Sequence, residues 1–93
     1  MYRGKVKDER LARYCGALTC MDEAIGRLMK LLEERGLAGD TLVMFLSDNG
    51  GSGNGGNAPL KGAKSSMWEG GLRVPFIARW PGRLPAGKVT DEF

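Results

Sequence analysis

The chain has 93 residues, 42% hydrophobic and 27% charged, which bounds it to one globular domain at most. The formal net charge of +3 comes from basic residues interspersed with acidic ones, so no basic face points to nucleic acid, and no apolar run approaches the roughly 20 residues of a membrane span. The absence of histidine excludes a His-dependent triad or His metal site within these residues. The polar start Met1-Tyr2-Arg3-Gly4-Lys5 has no signal-peptide pattern, which leaves the compartment open.

The first predicted element is a helix from about Asp8 to Arg35. Leu11, Tyr14, Leu18, Met21, Ile25, Leu28 and Leu32 recur at steps of three and four, forming one apolar stripe that Cys15 and Met29 widen. Glu23 with Arg27, and Lys30 with Glu34, are spaced to pair on the wet side. Gly36 is placed to cap the carboxyl end. Such a helix is about 40 Å long, more than a domain of this size spans, so it is expected to break near Gly16 or Thr19 or to pack against further structure. Cys15 and Cys20 are five apart and do not share a helix face, which argues against a mutual disulfide.

Gly39-Asp40 turns the chain into an apolar run, Thr41 to Ser47, that reads as a buried strand faced by Leu18, Ile25 and Leu32. Residues 48–66 then read as a loop with six glycines and Pro59. Ten of the 15 glycines lie between Gly50 and Gly87, so the second half depends on special backbone geometry. Leu72 to Trp80 reads as a second strand, with Pro75 marking an edge or a late start. Pro81-Gly82 and Pro85-Ala86-Gly87 mark turns. One long helix with two or three strands cannot cover both faces of a parallel sheet, so the chain is expected to be part of a larger α/β domain.

Asp48 and Asn49 follow the first strand, where an open α/β sheet places its ligands. A carboxylate and an amide oxygen are hard donors suited to Ca²⁺ or Mg²⁺ rather than zinc, although Asp-Asn-Gly alone is also a common turn. Lys64 carries a flexible ammonium that suits a sulfate or phosphate oxygen, set against the usual fate of a lysine on a solvated surface. Two apparent motifs fail on context. Gly51 to Gly56 matches G-x-G-x-x-G, but Asn57-Ala58-Pro59 follows where a helix must open. Gly82 to Lys88 matches G-x-x-x-x-G-K but continues with Val89 instead of a hydroxyl residue.

Asp22-Glu23-Ala24-Ile25-Gly26-Arg27, Ser47-Asp48-Asn49-Gly50-Gly51, Leu60-Lys61-Gly62-Ala63-Lys64 and Trp68-Glu69-Gly70-Gly71-Leu72-Arg73-Val74-Pro75 closely resemble, in order and spacing, the sulfatase family of sulfuric-ester hydrolases. The resemblance runs from about Tyr14 to Pro81. It implies an α/β fold, a fragment of an alkaline-phosphatase-like α/β/α sandwich, with residues 1–93 forming a middle to late portion of the catalytic domain. It implies that Asp48 and Asn49 ligate a divalent cation, Ca²⁺ with Mg²⁺ as the alternative. It further implies that Lys64, five residues before Glu69, contacts the sulfate of a sulfate-ester substrate, with Lys61 as a secondary basic position. Glu69, Gly70, Gly71 and Arg73 are expected to be structural, with Glu69 or Arg73 pairing internally to hold the lysine loop. The family's nucleophile is a formylglycine made from Cys in a Cys-x-Pro/Ala-x-Arg motif. Cys15 begins a similar run, but Thr19 stands in place of the Arg on a helix, so the nucleophile is expected outside these residues. A phosphate or phosphonate ester hydrolase of the same fold, and an inactive remnant acting as a binding or structural piece, are the alternatives. A full-length relative of this kind would be periplasmic, secreted or lysosomal; oligomeric state is not readable.

Overall fold

The computed structural model describes residues 2, 4, 6–53 and 55–90. Met1, Arg3 and Lys5 of the polar start, Asn54 of the glycine stretch and residues 91–93 lie outside the described residues. Helix α1, Glu9–Glu34, begins at Asp8, whose carboxylate accepts hydrogen bonds from the Arg10 and Leu11 amides at 2.8 and 3.3 Å. This cap satisfies two of the donors that the first turn leaves open, and Glu9 complements the positive end of the helix dipole. The helix does not break at Gly16 or Thr19. Thr19 Oγ1 donates back to the Cys15 carbonyl at 3.1 Å, so its hydroxyl is satisfied without interrupting the backbone ladder. At the other end the Gly36 amide bonds to the Glu33 carbonyl and the Leu37 amide to the Leu32 carbonyl, at 3.0 and 2.8 Å. This is the Schellman arrangement, and Gly36 takes the left-handed φ of 67° that it requires. Lys30 and Glu34 pair at 3.5 Å and Arg13 with Glu9 at 2.7 Å, whereas the expected Glu23–Arg27 pair does not form. Both observed pairs are exposed and contribute little.

A 3₁₀ turn, Ala38–Asp40, leads into β1, Val43–Leu46. A long loop then runs to a single helical turn α2, Glu69–Leu72, followed by β2, Phe76–Arg79. The strands pair antiparallel, in a register from Val43 opposite Arg79 to Leu46 opposite Phe76. The second strand is shorter than its sequence suggests. Residues 69–72 close a helical turn, with the Arg73 amide on the Glu69 carbonyl at 2.7 Å. Pro75 offers no amide to a ladder, so pairing starts one residue later. The end of β2 is tied to the end of α1 by Arg79 Nη2 donating to Glu33 Oε1 at 2.9 Å. Next to it, Trp80 Nε1 donates to the Gly39 carbonyl at 2.7 Å.

Apolar burial is thin. Among the described residues Ala12 is the buried hydrophobic side chain; Ile25, Met29 and Leu32 of the stripe are half-buried, and Leu18, expected to face β1, stays 42% exposed. The accessible surface of 7927 Å² compares with roughly 5,300 Å² for a compact monomer of this mass. The radius of gyration of 16.3 Å likewise exceeds the expected value of about 12 Å. Both faces of the strand pair carry exposed apolar residues, among them Met44, Leu46, Phe76 and Ile77. A strand apolar on both faces is the mark of a sheet covered on both sides.

The closest packing is instead backbone on backbone. Gly50, Gly70 and Gly71 are buried. The Gly50 amide bonds to the Gly71 carbonyl at 2.9 Å and the Gly70 amide to the Lys61 carbonyl at 2.8 Å. A Cβ at Gly50 would run into the Gly70 carbonyl, one at Gly70 into the Gly62 carbonyl, and one at Gly71 into the Ser66 carbonyl. Backbone obstacles cannot swing aside as a side chain does. Two substitutions separate this packing from ordinary conformational preference. Gly36→Ala meets no atom within 4 Å but must hold a left-handed φ, and should cost about 1–2 kcal/mol. Gly50→Ala should cost more, because overpacking of about 1–3 kcal/mol is here aimed at a carbonyl. Unfolding midpoints of the two variants should fall in that order; an unchanged midpoint for Gly50→Ala would contradict the glycine contact.

Candidate functional site

Ser47 follows β1 directly, and its hydroxyl donates to the Asn49 carbonyl at 2.8 Å across the turn. Asp48 is thereby left exposed and Asn49 half-buried, at the mouth of a cleft of about 400 Å³. The cleft brings together Asp48, Asn49, Lys64, Arg73, Tyr14 and Asn57, with backbone from the glycine loop. Its lining carries one carboxylate, Asp48, and two cations, Lys64 and Arg73. The lining is net positive, a balance that suits an anion. Neither the Asp48 carboxylate nor the Asn49 amide is bonded to a protein group among the described residues, so both oxygens are open to a ligand.

The donor chemistry fits a hard divalent cation, but only in part. Two oxygen ligands are fewer than the six to eight that Ca²⁺ takes. Among the described residues no group of three or more Asp, Glu, Cys or His side chains gathers to complete a site. Cys15 is half-buried in α1 and Cys20 exposed, and both are free thiols.

The Lys64 amide bonds to the Gly51 carbonyl at 3.2 Å, which brings the lysine loop against the turn after β1. A second tie within that loop runs from the Ala63 amide to Ser66 Oγ at 3.0 Å. Ser65, directly after the lysine, has a φ of 71°, a left-handed conformation that a side-chain-bearing residue holds only under surrounding constraint. Lys61, the secondary basic position, does not line the cleft. Its ammonium lies 3.7 Å from the centroid of the Trp68 ring, in a cation–π contact.

Glu69 and Arg73 form no ion pair among the described residues, contrary to the expected internal pairing. The loop is held by amide–carbonyl contacts of Gly50, Gly51, Gly70 and Gly71 instead, because glycine lets the two backbones come within hydrogen-bonding reach. Arg73 thus sits in the cleft wall as a cation. Tyr14 joins the cleft from α1, although its spacing assigns it to the apolar stripe; its hydroxyl was the only sign of a polar destination. In sequence, Asn57 belongs merely to a helix-breaking run, Asn57-Ala58-Pro59. Between Gly51 and Ala58 no described residue is helical, so the dinucleotide pattern has no helix to present. No helix among the described residues is long and apolar enough to cross a membrane.

The family model named Sulfatase matches residues 2–93. The chain is 41% identical over 86 residues to N-acetylgalactosamine-6-sulfatase of Sus scrofa, covering 86% of this chain and 16% of that protein. It is 44% identical over 89 residues to steryl-sulfatase of Homo sapiens, covering 85% of this chain and 15% of that protein. The crystal structure of Ps i-CgsB in complex with k-i-k-neocarrahexaose superposes with a TM-score of 0.85 at 37% identity, over 90% of this chain and 19% of that one. The chain therefore spans about one sixth of the length of the curated relatives it matches. Its helix and strand pair are a portion of the alkaline-phosphatase-like α/β fold. With a family match along almost its whole length and named relatives at about 40% identity, the chain belongs to the sulfatase family.

Proposed function

We propose that residues 1–93 act within a longer catalytic domain that hydrolyses sulfate esters, and that they supply part of its cation site and its sulfate-binding lysine. The observation that carries this reading is the meeting of Asp48, Asn49 and Lys64 in one cleft at the carboxyl end of β1. Asp48 and Asn49 would hold the cation, Ca²⁺ by preference and Mg²⁺ as the alternative. The cation, when bound, supplies positive charge to the sulfate oxygens. The remaining oxygen ligands come from other parts of the domain.

Within this arrangement Lys64 donates from Nζ to a sulfate oxygen and orients the group at the cleft mouth. Its contribution grows as negative charge builds on the transferring sulfate, because a fixed ammonium needs no reorganisation to meet that charge. The Arg73 guanidinium adds a second positive charge to the same wall. The glycine packing beneath keeps both backbone segments in place while the charge develops. The residues present do not fit a formylglycine: Cys15 is a helical position of α1 and its downstream partner is Thr19.

Four outcomes test this reading. The chain of residues 1–93 by itself should show no turnover of an aryl sulfate in the presence of Ca²⁺; activity that copurifies with it would refute the shared-site reading. In the full-length protein, Asp48→Ala should remove cation binding and activity together, read by titration calorimetry and an aryl-sulfatase assay, and equal Ca²⁺ affinity in mutant and wild type would reject Asp48 as a ligand. Lys64→Ala should lower kcat/KM by about 10²–10³ with the cation retained. Lys61→Ala should stay near wild type, since its ammonium is on Trp68. The reverse order of the two lysines would move the anion site to Lys61.

A further inference from the structure

Asn57 makes more side-chain hydrogen bonds than any other described residue of the cleft, and all of them go to backbone. Its Oδ1 accepts from the Gly51 amide at 2.7 Å, and its Nδ2 donates to the Gly51 carbonyl at 2.8 Å and to the Gly62 carbonyl at 3.2 Å. The amide group thus pairs with both backbone polar groups of one residue, as a neighbouring strand would. The orientation of the amide is settled by chemistry, since one end faces a donor and the other faces two acceptors. The position of Asn57 itself is held by a turn in which the Leu60 amide bonds to the Asn57 carbonyl at 2.8 Å.

The two segments that Asn57 joins are the ones that carry the site. Gly51 lies two residues after Asn49 and three after Asp48, and Gly62 lies two before Lys64. The Gly51 carbonyl also accepts from the Lys64 amide, so one oxygen receives both the side chain of Asn57 and the backbone of the lysine. On the far side, Gly50 is held by Gly71. The turn after β1 is therefore gripped from two directions, and Asn57 is the only side chain among the described residues that bonds to both the metal-side and the lysine-side segments.

We propose that Asn57 is a positioning residue that sets the separation between the Asp48–Asn49 oxygens and the Lys64 ammonium. It touches neither the substrate nor the cation in this role. The proposal rests on the assignment of those three residues to the sulfate site. Its physical basis is that displacement of a positioned group by about 1 Å costs up to 10²-fold in rate. Three hydrogen bonds from one half-buried amide are a short and directional way to prevent such a displacement.

The test uses Asn57→Ala and the isosteric Asn57→Asp in the full-length protein. Asn57→Asp keeps an acceptor for the Gly51 amide but turns an oxygen toward the Gly51 and Gly62 carbonyls, so it should be at least as damaging as Asn57→Ala. Each variant should lower kcat/KM by about 10- to 100-fold, mainly through kcat, at a temperature where it stays folded, since the lost hydrogen bonds also lower the unfolding midpoint. In a Lys64→Ala background the same change should cost at most about twofold further, because Asn57 then has no ammonium to place. Full additivity of the two substitutions would overturn the proposal. Hydrogen exchange is the independent arm: the Gly51 and Lys64 amides should lose protection in Asn57→Asp while those of α1 keep theirs. If Lys64→Ala is near wild type, the sulfate-site assignment fails, and the exchange result still decides whether Asn57 holds the two segments together. Unchanged protection at Gly51 and Lys64 would overturn the proposal in either case. If Asn57→Ala does not fold, the Asn57→Asp exchange and activity measurements stand alone with the same criteria.

Discussion

The contact between Gly50 and the Gly70–Gly71 pair is the constraint on which the rest of the site depends. Three residues without side chains let the turn after β1 and the start of α2 approach within hydrogen-bonding distance. Apart from Tyr14 of α1, the residues that line the cleft lie on these two segments, on the loop between them or just after α2. A β-carbon on any of the three would meet a carbonyl, so the geometry tolerates no other residue without a backbone shift. The buried centre of the described structure is thus a polar backbone junction in which amides and carbonyls satisfy one another, as burial demands.

This junction explains how a chain with so little apolar core still presents an ordered cleft. Hydrophobic burial is nondirectional and sets no distance between two charged groups. Hydrogen bonds through Gly50, Gly51, Gly70 and Asn57 do, because each has a fixed length and angle. The apolar residues left exposed on α1 and on both faces of the β1–β2 ribbon indicate where further layers of an α/β domain pack. The relatives, about six times longer, have ample chain for such layers.

The electrostatics of the cleft follow the same division of labour. Asp48 and Asn49 present oxygens with no protein partner among the described residues, while Lys64 and Arg73 supply positive charge on the wall. Lys61 is withdrawn from this set by the Trp68 ring, which offers its ammonium a negative face away from the cleft. Two lysines three residues apart in a loop are thereby given separate environments, although in sequence they differ only by their distance from Glu69.

Local physics was legible in the sequence. The three-and-four stripe marked α1, Asp8 and Gly36 marked its ends, and the apolar run before Asp48-Asn49 marked β1, because each depends on neighbours a few residues away. The spacing of motifs was also enough to name the family, and it pointed to Asp48, Asn49 and Lys64, which the fold brings to one cleft. What the sequence did not disclose was decided at long range. Leu72 belongs to a helical turn, not a strand, because Gly70 and Gly71 must dock on Gly50 and Lys61. Arg73 lines the cleft and forms no ion pair among the described residues. Tyr14 reaches the same cleft from 34 residues before Asp48, and Asn57 acquires its role only when Gly51 and Gly62 are folded to either side of it. Periodicity and capping are properties of one segment, whereas a backbone contact between glycines is a property of two, and only the tertiary fold brings the two together.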